Sequence, residues 1–195
     1  MPTMPTTALR PDLLRLATHN ADLSAEASTV LSLAAREQWI WSPNKDTWSM
    51  ALALDHLNAV NSRLVPLLDE ALARLRSDGY YSDVVPRYAL SERFFIRLLS
   101  PNPPFRVPVP ALYVPRLPAD PAREIGEPFL KLLDRIQATI EAANGLDLKK
   151  ARIASPANPL VRFTVGAALE AMVAHNDYHW TQVRALLEHD SFPQR

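Results

Sequence analysis

Apolar residues recur at intervals of three and four over four stretches of the chain, the period of an amphipathic helix. The first stretch spans Pro11 to Trp39, with Leu13, Leu16, Leu23, Ala27 and Leu31 along it, and Pro11 suits a first-turn position, where its missing N–H removes no hydrogen bond. The second spans Asp46 to Ser77, with Asp46 as the expected N-cap, a kink expected at Pro66, and Ser77-Asp78-Gly79 as the exit. The third spans Asp120 to Ala143 and closes on Asn144-Gly145, a C-terminal stop. The fourth spans Phe163 to Glu188. A shorter helix is predicted over Ser91 to Leu99, inside the long connection 78–119. Four long helices joined this way predict an all-α fold. The expected architecture is a four-helix bundle with a long, proline-rich connection between the second and third helices. One domain over residues 1–195 is expected, with residues 1–10 as a flexible tail.

Composition sharpens this picture at the connection. The chain has 195 residues with 18 prolines and 4 glycines, and nine of the prolines fall between Pro101 and Pro128. The same stretch carries Phe105, Val107, Val109, Leu112, Tyr113 and Val114, residue types that disordered segments lack. It therefore reads as an ordered, extended arm lying across the bundle. The glycines are scattered, which excludes phosphate-cradling loops of the Rossmann or Walker kind and disfavours an all-β chain rich in positive-φ turns.

Charge and cysteine usage narrow the function classes. Lys+Arg and Asp+Glu both number 21 and no basic run occurs, so no nucleic-acid partner is expected. With no cysteine there is no disulfide, thiolate ligand or cysteine nucleophile, which suits a reducing, cytoplasmic location. The start MPTMPTTALRPDLL lacks a charged segment followed by an apolar one, so no signal peptide is expected. No apolar run is long enough for a membrane span.

The candidate chemistry lies in histidines. On a wheel of about 100° per residue, Ala168, Met172, His175, His179, Val183 and Leu186 share one narrow sector of the fourth helix. His175 and His179 stand one turn apart on that face, a spacing that lets two imidazoles bind one metal ion. In the second helix His56 shares an inward stripe with Leu52, Ala59, Val60 and Arg63. Three buried imidazoles each need a partner, and a shared divalent ion supplies one; the bland alternative is three core histidines satisfied by hydrogen bonds. Three protein ligands with an open position is the catalytic metal pattern. Zinc and nickel are the leading candidates for a nitrogen and oxygen site, with iron and manganese also compatible.

Around these positions several residues admit two readings. Gln182, three residues after His179, can orient a metal-bound water or be a partly buried amide bonded to backbone. Tyr178 can donate a proton or serve as an edge aromatic. Asp55 and Asp177 turn away from the stripes, although Asp55 can accept an imidazole N–H. Arg63 reads as a surface or snorkelling side chain. His19 and His189 read as ordinary. Trp39, Trp41, Trp48 and Trp180 read as core and rim aromatics.

Trp48-Ser49 opening a helix that reaches Asp55-His56-Leu57, the lead-in Ala154-Ser155-Pro156, and the run from Ala174 to Val183 with its HxxxHxxQ spacing together resemble the DinB/YfiT-like superfamily of four-helix-bundle metalloenzymes. The resemblance implies a metal held by His56, His175 and His179. It also implies thiol-dependent transferase or isomerase chemistry on a small molecule, with a low-molecular-weight thiol as co-substrate. A hydrolase that activates water is the neighbouring expectation, and a non-catalytic metal- or ligand-binding bundle, stress-related, is the alternative. A third reading keeps the histidines as core residues of a structural dimer, and homodimerisation suits such bundles in any case. The proline arm is expected to cover the open end of the histidine site.

Overall fold

A computed structural model describes residues 8–105 and 107–194. Most of the expected tail, residues 1–7, lies outside them. Six α-helices follow one another: α1 (Pro11–Leu33), α2 (Arg36–Ile40), α3 (Met50–Ser77), α4 (Leu90–Leu99), α5 (Glu127–Ala142) and α6 (Val165–Leu187). Strands β1 (Arg152–Ser155) and β2 (Asn158–Thr164) pair antiparallel between α5 and α6. The chain is thus mostly helical, and the sheet is a feature the all-α expectation lacks. Among the described residues no helix is long and apolar enough to cross a membrane.

Local chemistry explains where the helices differ from the periodicity. The first predicted helix breaks at Ala34 and Ala35, which are extended. Carried on unbroken, it would place Trp39 about 80° round from Leu31; after the break Trp39 turns into the core, 1% exposed. The Gln38 carboxamide oxygen accepts the Ala35 N–H at 2.8 Å and stops the new helix from fraying. The start of α3 is capped by Ser49, whose hydroxyl accepts the Leu52 N–H, rather than by Asp46. The helix then runs through Pro66 to Ser77, because a proline removes one hydrogen bond while Val65 and Leu68 on either side are fully buried. Gly79 and Gly145 adopt φ of 73° and 74° where α3 and α5 end, a conformation other residues resist.

Four long helices pack in a closed sequence: α1 on α5, α5 on α3, α3 on α6 and α6 on α1. Their shared core is apolar, with Leu54, Leu57, Leu68, Phe129, Leu133, Ile136 and Trp180 buried. Polar ties set the pairings. Asn20 on α1 donates to the Leu133 carbonyl and the Gln137 carboxamide of α5, both at 3.1 Å. Arg10, at the head of α1, donates to the carbonyls of Ser82 and Leu146 and so locks the exits of α3 and α5 together.

The smaller elements sit to one side and build the walls around the site. Glu92 in the first turn of α4 is buried and accepts the N–H of Ala89 at 3.1 Å and of Thr164 at 2.7 Å. One carboxylate therefore caps α4 and holds it against the β2–α6 junction. Burial pushes that carboxyl upward, but the N–H donors outweigh it and the net direction is down. Beyond α4 the chain bends between Ser100 and Phe105, where Asn102 adopts a φ of 58°, and further on it makes a 3-10 turn at Ala111–Tyr113.

Gly126 leaves no room for a side chain: a Cβ there would lie 2.7 Å from Cη2 of Trp39. The indole is buried and cannot swing away, so the clash outweighs the helix propensity that alanine adds. Gly126→Ala should lower stability by about 1–2 kcal/mol. Trp39→Phe in the same background should recover part of that loss, measured by urea unfolding; an unchanged midpoint for the single variant would contradict this packing.

Candidate metal centre

Two helices bring the imidazoles together. α6 supplies His175 and His179 from consecutive turns, and α3 supplies His56 from the helix packed against it. All three are buried. The His175 Nε2 lies 3.4 Å from His56 Nε2 and 3.1 Å from His179 Nε2. Among the described residues this is the group of three or more potential ligands that can hold a metal ion, with its ligand atoms all within 4.8 Å of one another. The stripe of α3 that carries His56 faces open space as much as core: Leu52 and Val60 beside it are only half-buried.

The placement of protons makes the cluster unusual. His56 Nδ1 lies 2.8 Å from the Tyr113 carbonyl oxygen. A carbonyl can only accept, so His56 carries its proton on Nδ1 and leaves a lone pair on Nε2. His179 Nδ1 likewise faces the Gln182 Oε1 at 2.9 Å, which leaves a second lone pair on its Nε2. Both lone pairs point at His175 Nε2, which can offer at most one proton. At least one buried acceptor therefore lacks a donor, and the rings cannot escape by taking up protons. Burial is the main cause that drives the pKa of all three down: His56 below the usual histidine value, His175 well below it, and His179 to about 3. The neighbouring rings push His175 and His179 further down by mutual repulsion.

A neutral set of inward lone pairs is what a cation fits. For tetrahedral zinc with bonds of about 2.0 Å, neighbouring nitrogens stand about 3.3 Å apart, and the two short separations here are 3.1 Å and 3.4 Å.

Aromatic rings and the arm hold this arrangement. The Trp48 indole stacks on His179 at 5.6 Å and lies against His56 at 5.2 Å. The Tyr178 ring meets His179 edge-on at 4.8 Å. The arm is tied to α3 at successive residues: Tyr113 accepts from His56, and the Arg116 N–H donates to Asp55 Oδ2 at 2.7 Å. The histidines open onto a cavity of about 650 Å³ whose walls come from α4, the arm, the β-hairpin and α6.

The remaining candidates divide clearly. Gln182 and Tyr178 both line the cavity. Asp55 serves the arm rather than an imidazole. Asp177 pairs on the outside with His19 at 3.2 Å and Arg184 at 3.8 Å, so His19 has a partner that spacing did not reveal. Arg63 is exposed and donates to the Ala59 carbonyl of its own helix. His189 packs on Trp41 at 5.2 Å and borders the cavity. Sequence reasoning missed the Tyr113 carbonyl altogether, since a main-chain acceptor leaves no residue-type signal. It read Trp48 as a rim aromatic from composition, although its place two residues before the helix start was visible in the motif.

Depressed histidine pKa values carry a definite pH dependence. Below the ordinary value of 6.5 the unfolded chain binds protons that the buried rings refuse, so stability is full at neutral pH and falls as pH drops. For His179 alone the loss between pH 7 and pH 5 is about 2 kcal/mol. Urea midpoints of metal-free protein should fall accordingly, and a flat profile over that interval would show that the rings take up protons as readily in the fold as in the unfolded chain.

The sequence profile of the DinB superfamily matches residues 22–183. No curated protein and no solved structure matches the chain. The matched span begins within α1, ends at Val183 near the end of α6, and contains all three histidines. The chain belongs to the DinB superfamily.

Proposed function

We propose that the protein is a metal-dependent enzyme acting on a small molecule, with His56, His175 and His179 holding one divalent ion. The observation that carries this reading is the convergence of Nε2 atoms at 3.1 Å and 3.4 Å with too few protons to satisfy them. When bound, the ion would act as a Lewis acid that lowers the pKa of a thiol or a water and yields a nucleophile at neutral pH. Thiol-dependent transfer or isomerisation is the leading chemistry and hydrolysis the neighbouring one. Zinc or nickel suits three imidazoles, with iron or manganese next. The closed packing of α1, α5, α3 and α6 supports reading these four as the family's four-helix bundle.

The chain's own residues do the positioning. The Tyr113 carbonyl and Gln182 Oε1 each hold an imidazole proton at Nδ1, which keeps the Nε2 lone pairs of His56 and His179 directed inward. Trp48 restrains both rings by contact. Tyr178, at the cavity wall beside His179, is assigned the proton-donating role.

A non-catalytic metal- or ligand-binding role is the second reading, and one observation favours it. Among the described residues lining the cavity the only carboxylate is Asp46, which is exposed, so no buried carboxylate stands ready as a general base.

Metal analysis of untagged protein tests the common premise. About one equivalent per chain is expected, falling below a tenth when His56, His175 and His179 are replaced together. Gln182→Ala should weaken metal affinity by about 10–100-fold, the usual effect of removing an outer partner of a ligand. Full occupancy in the triple variant would place the metal elsewhere. A screen of thiol-transfer and hydrolysis reactions, with metal-free protein as control, separates the two readings. Rates that depend on the metal support the enzyme, and equal rates with and without it leave the binding role.

A further inference from the structure

We propose that the cavity takes an uncharged, apolar small molecule whose single polar head sits at the three histidines. The position of the head rests on the metal reading above, whereas the choice of an apolar body does not.

The walls carry the argument. α4 turns Phe95, Leu98 and Leu99 toward the cavity, all half-buried, and the only buried residue of that helix is Glu92. Its apolar face is therefore divided: Phe95 and Ile96 pack against the core, while Phe95, Leu98 and Leu99 keep surface turned to the cavity. Phe163 on β2 stacks on Phe95 at 4.2 Å and continues the same surface. From the arm, Val107 and Val109 add to it while remaining 48% and 36% exposed. Such surface stays in water unless an apolar body covers it, and its burial would drive binding. A volume of about 650 Å³ is that of a site for a drug-sized ligand.

Charge excludes the alternative body. Among the described residues that line the cavity there is no lysine and no arginine. Arg63, one helical turn from Ala59 on the His56 side of α3, is held by the Ala59 carbonyl instead. A peptide-like thiol with two carboxylates would bury those charges without partners, at a cost that opposes binding. An aliphatic or aromatic molecule with one thiol or other metal-seeking group meets both parts of the site.

The test uses the full chain, metal-free and zinc-loaded, with the neutral fluorophore N-phenyl-1-naphthylamine as reporter. Metal-free protein should bind the reporter and release it to decanol and to 1-octanethiol. Zinc should tighten octanethiol at least tenfold and leave decanol within about twofold. Glutathione should fail to displace the reporter at a hundredfold higher concentration. Leu98→Glu should weaken decanol and octanethiol at least tenfold with zinc content unchanged. Val60→Phe, which fills the cavity without adding charge, serves the same purpose should the first variant not fold. Arg106, next to Val107 in the sequence, lies outside the described residues, and Arg106→Ala should leave the ranking of ligands as it was. Failure of the reporter to bind either form, or glutathione competing as well as octanethiol, overturns the proposal. So does a ranking that reverses without Arg106. Decanol binding with no effect of zinc on octanethiol overturns the placement of the head and, with it, the metal reading, while the apolar body stands.

Discussion

Two protons decide the character of this molecule. A main-chain carbonyl on His56 and a carboxamide oxygen on His179 each claim an Nδ1 hydrogen, and so leave the opposite ring nitrogens as bare acceptors facing a third histidine. Buried acceptors without donors are costly, and nearly all buried polar groups in native proteins avoid the situation. Here burial also closes the easy exit of protonation, since it favours the neutral ring. What the fold has preserved is a small region of negative potential with a defined geometry and no charge of its own. The pH dependence of the metal-free chain and the fit of the cluster to a cation follow from the same constraint.

The rest of the architecture serves that region in layers. The closed packing of α1, α5, α3 and α6 supplies the rigid spacing between His56 and the α6 pair. Trp48, just before the Ser49 cap, is set against two of the rings because the cap fixes where α3 begins. The arm is bound to α3 by consecutive residues, Asp55 and His56, so its ordering and the orientation of a candidate ligand are one event. Glu92 does similar work on the opposite wall, since it joins α4 to the start of α6. The α4 wall and the arm are thus each anchored by a buried polar contact.

Much of this was legible along the chain. Helical period placed α1, α3, α5 and α6 and the inward faces of His56, His175 and His179. The short α4 was foreseen to within a residue, and the apolar content of the proline-rich stretch argued for an ordered arm. The hairpin was not foreseen. Leu160, Val161 and Phe163 form only a brief apolar run next to a strongly periodic helix, and β2 is exposed over most of its length, so it lacks the alternation that marks a half-buried strand. The break after α1 was missed for a related reason: Ala34 and Ala35 favour helix locally, and only the demand of Trp39 for a buried place beneath Gly126 overrides them.

By itself, the sequence determined which side chains share a helix face, because that depends only on residue spacing and the 3.6-residue turn. It thereby determined that three imidazoles point inward and that two of them stand one turn apart. Tertiary structure alone decided which nitrogen of His56 carries the proton, because the deciding acceptor is a carbonyl 57 residues away at Tyr113. It also decided that the apolar face of α4 is shared between the core and a cavity. Both are relations between distant segments, set by how helices and arm close on one another, and no local pattern records them.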